Sequence, residues 1–337
     1  MADHNNRFSS RLTFLLSALG IAVGTGNIWR FPRIVASNAG EEGAGAFLVA
    51  WITFLFLWSI PLIIVEYIMG RQSRMGTIGA FANFMGKPFA FLGGFVGFVS
   101  TAIAFFYSVI VGWNIYYFGI ITFTDLPQTN QASLMLWSSF QDSLFPILFH
   151  GVAMTVGGLA IYKGVSSIEK VNKVLIPVLL GIVMLSVLRA ISLPGSFEGI
   201  SYLFTPDWSQ LKRPGIWVDA LAQNAFDTGA GFGLFLTYAI YIKKRYGVVK
   251  NAFTTAIGNN LVSMLAAIMI FSTVFSILGN EMGMQQSEIL EIMKTSGPAA
   301  TGLTFIWMPL LFAKMAFGKP LAILFFLGLS FAGFSSL

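Results

Sequence analysis

Long apolar stretches recur from the first dozen residues to the last, each closed off by a short polar segment. The pattern predicts helices near residues 11–37, 46–70, 88–122, 145–162, 170–192, 216–242, 248–278 and 319–337. Each carries roughly the 20 apolar residues that a helix needs to cross a bilayer. Two stretches depart from a plain bundle. Residues 282–315 are long and partly apolar, ending in "LTFIWMPLLFAKMAF", and predict a helical outer loop that dips into the protein. The last run, 321–337, stops on Ser335-Ser336-Leu337 without a basic flank, so the chain is expected to be a fragment that ends inside a span.

Composition sharpens this picture. Hydrophobic residues make up 56% of the 337 and charged residues only 10%, against about 25% charged in a soluble domain. With a mean hydropathy of +0.76, the chain reads as an all-α integral membrane protein. Its polar start lacks a small-residue cleavage site, so the first helix is expected to serve as its own targeting signal. There is no cysteine and no Asn-x-Ser/Thr sequon, which points to the plasma membrane of a prokaryote.

The formal charge of +6 gains meaning from its distribution. With the N-terminus inside, the cytoplasmic segments hold Arg7, Arg11, Arg71, Arg74, Lys87, Lys163, Lys170, Lys173, Lys243, Lys244, Arg245 and Lys250, twelve of the twenty basic residues. The other side holds Glu41, Glu42, Asp125, Asp142, Glu198, Asp207, Glu281, Glu288 and Glu291. The positive-inside rule then predicts a cytoplasmic N-terminus. The basic excess is an orientation signal, and no nucleic-acid partner is expected.

Two predicted spans are softened at their middles. One is "ALGIAVGTGNIWRFP" (18–32), with Gly20, Gly24 and Gly26; the other is "FDTGAGFG" (226–233). Close helix packing is the commoner reason for membrane glycines. Here, however, both clusters lie at mid-depth and adjoin polar residues: Thr25 and Asn27 in the first, Asp227 and Thr228 in the second. They also occupy the first and sixth helices, as two five-helix halves of inverted topology would require. Broken helices at matching positions point to a site at the bilayer midplane, where freed carbonyls bind cations. That rule was learned from transporters of the family named below, so it is not independent of the resemblance. A nucleotide loop is excluded because no strand precedes either glycine cluster.

Polar residues inside the apolar runs supply the candidate chemistry. Asp227, an acid near mid-depth, should face a cavity and a cation. Glu66 in "PLIIVEYIMGR" reads as structural, accepting N–H groups that an unwound helix leaves free. Gln223, Asn259, Asn260, Ser263, Ser335 and Ser336 carry little meaning singly, since serine in membrane helices most often bonds its own backbone. Arg30 either snorkels to the interface or pairs with an acid as a gate. His4 and His150 suggest no site. No metal-ligand spacing and no Ser/His/Asp grouping occur, which argues against an enzyme.

Taken together, "AVGTGNIWRFP", "PLIIVEYIMGR", "FDTGAGFGLFLTY" and "FAGFSS" resemble, in order and spacing, the signatures of the neurotransmitter:sodium symporter family in its bacterial branch. The resemblance implies the leucine-transporter fold, with helices 1 and 6 broken at mid-membrane. A single domain over 1–337 would contain a first five-helix repeat (1–192) and the start of a second (216–337). It implies a sodium-coupled amino-acid symporter working by alternating access, or else an amino-acid-binding protein or receptor on the same fold. Two sodium ions are implied. The first would use the carbonyl of Ala22, the side chains of Asn27 and Asn259, Asp227 and the substrate carboxylate. The second would use the carbonyls of Gly20, Val23 and Ala332 and the hydroxyls of Ser335 and Ser336. Such oxygen sets suit a hard cation.

The implied substrate pocket comprises Ile21, Ala22, Gly24, Gly26, Ile103, Tyr107, Phe226, Asp227, Gly229, Phe232 and Ser336. Tyr107 would donate to the substrate carboxylate, and Phe226 and Phe232 would close over the side chain. The monoamine branch carries an aspartate in place of Gly24, so an α-amino acid is expected. Ile21 and Gly229 favour an apolar or aromatic one. Animal members bind chloride beside the first sodium, using a serine at the position of Asp227 and a tyrosine near Trp51. The equivalents here are Gln223, Asp227, Asn259 and Ser263, and the acid at 227 predicts independence from chloride. Tyr241 matches the inner-gate tyrosine and Arg30 the outer-gate arginine. Phe8 stands where a tryptophan is usual, and Arg7 is the candidate for the missing inner-gate arginine.

Overall fold

A computed structural model describes residues 7–243, 245–295 and 301–337. We number the helices α1 (Arg11–Ala22), α2 (Gly26–Ser37), α3 (Gly45–Ser73), α4 (Thr77–Met85), α5 (Ala90–Phe123), α6 (Asn130–Gln141), α7 (Phe145–Ile161), α8 (Val165–Ile191), α9 (Ser196–Phe204), α10 (Pro214–Thr228), α11 (Leu234–Ala239), α12 (Val248–Glu281), α13 (Gln286–Thr295), α14 (Leu303–Ala313) and α15 (Gly318–Ser336). Among the described residues, five helices are long and apolar enough to cross a bilayer, and seven if each of two bent pairs counts as one span. This is a multi-pass membrane protein. The expected sixth span is not among them: its pieces, α10 and α11, have 15 and 6 residues and are separated by the longer unwound connection 229–233.

The first expected span starts cleanly and stops abruptly. Ser10 caps α1 by accepting the Thr13 N–H at 3.1 Å, and Thr13 returns the favour to the Ser10 N–H at 3.2 Å, a capping box. At Val23 the backbone turns extended (φ −79°, ψ 90°), and α2 resumes at Gly26 with a 52° change of direction. In the sixth span, Gly229, Gly231 and Gly233 all have positive φ (+66°, +94°, +74°). Only glycine adopts that region without strain, so the "GAGFG" spacing is what allows the connection between α10 and α11.

Two apolar cores meet at these breaks. One gathers Phe8, Phe14, Ile21, Ala22, Tyr67 and Phe235 near the N-terminus. The other begins at Val23 and includes Phe31, Trp51, Tyr117, Phe305 and Phe326. The polar seam between Ala22 and Val23 is therefore a boundary between two packed bodies. Residues 282–315 form α13 and α14, with 296–300 outside the described residues. Leu303, Phe305, Ile306, Leu310 and Leu311 of α14 are buried, and Phe305 packs against Trp113, Tyr117 and Trp137.

Several elements differ from the hydrophobic pattern. The short helices α4, α6 and α9 were not expected, and α6 meets α7 at a 70° bend. The expected helix 46–70 contains a π turn at Leu55–Ser59, just before Pro61. Proline lacks an N–H and crowds the carbonyl four residues back, and a π turn accommodates the lost bond.

Candidate functional site

The breaks in the first and sixth spans open onto one cavity, closed on the remaining sides by α5 and the end of α15. Its volume is about 110 Å³, where a single water would occupy roughly 10–15 Å³ by the same measure. Ile21, Ala22, Gly24, Gly26, Ile103, Tyr107, Phe226, Asp227, Gly229, Phe232 and Ser336 all line it. Asn27, Ser100, Ala104, Leu234 and Leu337 line it as well. Of these five, only Asn27 had been singled out beforehand.

On one flank lies a buried polar network that begins at the Asp227 carboxylate. It accepts from Gln223 Nε2 at 2.5 Å and from Ser263 Oγ at 3.1 Å. Asn27 Nδ2 donates to Ser263 Oγ (2.7 Å) and to Asn259 Oδ1 (2.8 Å), while Asn27 Oδ1 accepts from the Gly24 N–H (2.8 Å). The Asn259 amide can be turned two ways. With its oxygen toward the break, that atom faces the carbonyls of Ala22 and Asp227 at 3.0 and 3.2 Å. Three oxygens meeting like this, beside a carboxylate and with no donor among them, fit a cation; with the amide reversed, its nitrogen would donate to both carbonyls. Nearby, Ser335 Oγ lies 3.0 Å from the Ala332 carbonyl and 3.4 Å from that of Val23. Ser336 Oγ bonds the Gly20 carbonyl at 3.0 Å. With the Asn259 oxygen toward the break, both groupings present only oxygen, and no cluster of three or more His, Cys, Asp or Glu occurs among the described residues. Such donors suit a hard cation.

Tyr107 bridges the cavity. Its hydroxyl accepts the Thr25 N–H at 2.8 Å, one of the donors that the break in the first span leaves without a helical partner, and it also lies against the side chain of Ser336. On one side Phe226 covers the cavity, with the Arg30 guanidinium stacked 4.6 Å from its ring centre and hydrogen-bonded to Gln223 Oε1. On another side Phe232 is held by Ser100, whose hydroxyl meets the Phe232 carbonyl at 2.5 Å.

Glu66 and Tyr241 lie outside the cavity. The Glu66 carboxylate accepts the N–H of Gly231 (2.6 Å) and of Leu236 (3.1 Å), tying α3 to the unwound connection. Replacing Glu66 with alanine leaves the buried Leu236 N–H and the more exposed Gly231 N–H without this acceptor, and an unsatisfied buried donor costs about 1–3 kcal/mol. Glu66→Ala is expected to lower the melting temperature in detergent by several degrees, with Glu66→Gln in between. A Glu66→Ala protein that melts with the wild type would show that the carboxylate is not holding the connection. The Tyr241 carbonyl accepts the Phe8 N–H at 3.3 Å, and the Phe8 ring packs on Phe14 and Tyr238. Several cations hold this end: Arg74 donates to the carbonyls of Ile240 and Ile242, Arg71 to that of Tyr246 and Lys243 to that of Ser9. Among the bonds of the described residues none is made by Arg7, the candidate from the sequence.

A bilayer-spanning helical bundle with two interrupted helices around a mostly apolar cavity, flanked by a buried polar network, is built as a solute carrier. The profile of the sodium:neurotransmitter symporter family matches residues 5–141 and 139–337, and the chain belongs to that family, one of transporters and not of enzymes. An uncharacterized sodium-dependent transporter of Methanocaldococcus jannaschii is 32% identical over 98% of this chain and 66% of its own length. Another, YhdH of Bacillus subtilis, is 30% identical over 98% of this chain and 69% of its own. The chain thus spans about two thirds of each relative. Among solved structures, MhsT in complex with L-phenylalanine superposes with a TM-score of 0.82 at 29% identity, covering 98% of this chain and 72% of MhsT.

Proposed function

We propose that the protein is a sodium-coupled symporter of apolar or aromatic α-amino acids in a prokaryotic plasma membrane, with its N-terminus cytoplasmic and no requirement for chloride. The observation that carries this reading is a pair of oxygen groupings, one between the breaks of the first and sixth spans beside a mostly apolar cavity and one between the first break and the end of α15. Sodium enters as a co-substrate. One ion is assigned to Ala22, Asn27, Asp227 and Asn259, and the other to Gly20, Val23, Ala332, Ser335 and Ser336. The substrate carboxylate takes the Tyr107 hydroxyl and completes the first ion's shell. Its side chain lies among Ile21, Ile103, Phe226 and Phe232. The likeness to MhsT, solved with L-phenylalanine, supports an aromatic or large apolar substrate.

Coupling needs no chemical step. Ion and amino acid stabilise the same closed arrangement, so each raises the other's affinity by the same factor. Gly24 puts no carboxylate at the position where the monoamine branch carries an aspartate in place of that of the substrate, which disfavours amines that lack one.

The deciding experiment is binding and liposome uptake of the standard amino acids by the full-length protein, in sodium and in potassium. Sodium-dependent uptake of phenylalanine, tryptophan, leucine or similar residues is expected. Binding without uptake would replace the symporter by a binding protein or receptor, and indifference to sodium would overturn both. Tyr107→Phe tests the assigned carboxylate contact. Removing one hydrogen bond to a charged group costs about 1.5–3 kcal/mol, so amino-acid affinity should fall roughly ten- to a hundredfold. Unchanged affinity would place the carboxylate elsewhere.

A further inference from the structure

Outside the cavity, Ser59, Asn224 and Thr228 join the π turn of α3 to the last turn of α10, and each is wholly buried. The Asn224 amide is used at both ends. Its nitrogen donates to the Trp51 carbonyl at 2.5 Å, and its oxygen accepts from Ser59 Oγ at 3.1 Å. That carbonyl already takes the Leu55 N–H within α3, so Asn224 occupies its second lone pair. Thr228 has a single hydroxyl proton and two acceptors for it. One is the Asn224 carbonyl in its own helix at 2.7 Å, and the other is Ser59 Oγ across the interface at 3.1 Å. Its oxygen also receives the Ala230 N–H at 3.3 Å, beyond the end of the helix.

Placement distinguishes this group from ordinary helix glue. Thr228 is the last residue of α10, and Gly229 next to it has a φ of +66°. Asn224 and Thr228 bracket Asp227, whose carboxylate and carbonyl both face the ion grouping. A slip of α10 by one residue against α3 would turn the position facing the ion grouping by about 100° about the helix axis and replace Asp227 with a neighbour. We propose that Ser59, Asn224 and Thr228 form a clasp that fixes where α10 ends, holds Asp227 in register, and makes α10 travel with α3 when the site opens and closes. They are positioning residues, and the inference rests on the sodium-coupled reading given above.

The test uses the full-length protein in liposomes. Thr228→Val keeps shape and removes the proton, while Thr228→Ser keeps the proton. Interhelical hydrogen bonds in bilayers are worth about 0.6 kcal/mol on average and up to about 1.7. The half-saturating sodium concentration for amino-acid binding should therefore rise roughly three- to twentyfold in Thr228→Val and return toward wild type in Thr228→Ser. Asn224→Leu should shift it at least as far; if that variant does not fold, the threonine pair decides alone. A purely structural role would lower the melting temperature and leave sodium dependence where it was, and that result overturns the proposal. Wild-type protein that binds amino acid without regard to sodium would instead remove the reading on which the clasp depends.

Discussion

Asp227→Asn is expected to raise the sodium concentration needed for amino-acid binding by two to three orders of magnitude. The carboxylate is buried, and its charge is met among the described residues by hydrogen bonds from Gln223 and Ser263 without any ion pair. A unit charge about 4 Å from a sodium ion contributes about 4 kcal/mol at an effective dielectric near 20, and asparagine removes it while keeping the size. Asp227→Ser separates two roles of the acid. If its fixed negative charge does the work that chloride does in animal members of the family, the serine variant should recover sodium-dependent binding in chloride and lose it in gluconate. Wild type should not distinguish the two salts. An Asp227→Ser protein that is active and indifferent to chloride would show that the charge has no such role, and loss of wild-type uptake without chloride would refute chloride independence directly.

The spans were readable because the bilayer leaves the chain little choice: every long apolar run has to satisfy its own backbone as a helix. The breaks were readable because a helix gains nothing from Gly24-Thr25-Gly26 or Gly229-Ala230-Gly231 at mid-depth. Short helices escaped notice for the converse reason. In α6, Trp137 and Phe140 owe their burial to Trp113 and Tyr116 on α5, and a twelve-residue segment has too few turns for its own periodicity to announce that. The π turn of α3 likewise depends on Pro61 and on Asn224, which lies 173 residues from the carbonyl it binds.

The cavity was readable from the residues alone at Asp227, an acid at mid-depth, and at Tyr107 and Ser336 only through the family resemblance. It was opaque where the lining is ordinary. Nothing local separates Ser100, which holds the Phe232 carbonyl, from Ser108, which pairs with His150 at 2.9 Å. His150, which suggests no site in the sequence, sits within α7 and links that helix to α5. Asn224 and Thr228 carried a signal that could have been used, since two further polar residues flank Asp227 in a membrane helix. Ser59 gave no such hint.

Gly24→Ala should abolish amino-acid binding at practical concentrations, and the reason can be isolated. An added Cβ would stand 2.5 Å from the Tyr107 hydroxyl and 3.0 Å from Ser336 Oγ, but 3.5 Å from the Tyr107 ring carbon that bears the hydroxyl. The clash is therefore chiefly with one oxygen. Displacing it costs about 1–3 kcal/mol as overpacking and also moves the donor assigned to the substrate carboxylate, worth about 1.5–3 kcal/mol more. The sum corresponds to a loss of roughly two to four powers of ten in affinity. Tyr107→Phe removes the clashing atom, so the two substitutions should be strongly non-additive. The double variant Gly24→Ala/Tyr107→Phe is expected to bind amino acid within a few-fold of Tyr107→Phe alone. Additive losses in that cycle would mean that alanine at 24 acts through the backbone of the break or through Ser336, and not through the tyrosine hydroxyl. Gly229→Ala is the control. Its Cβ would meet nothing closer than Leu234 at 3.4 Å, so its penalty is the left-handed backbone alone, about 1–2 kcal/mol, and no substitution at Tyr107 should relieve it.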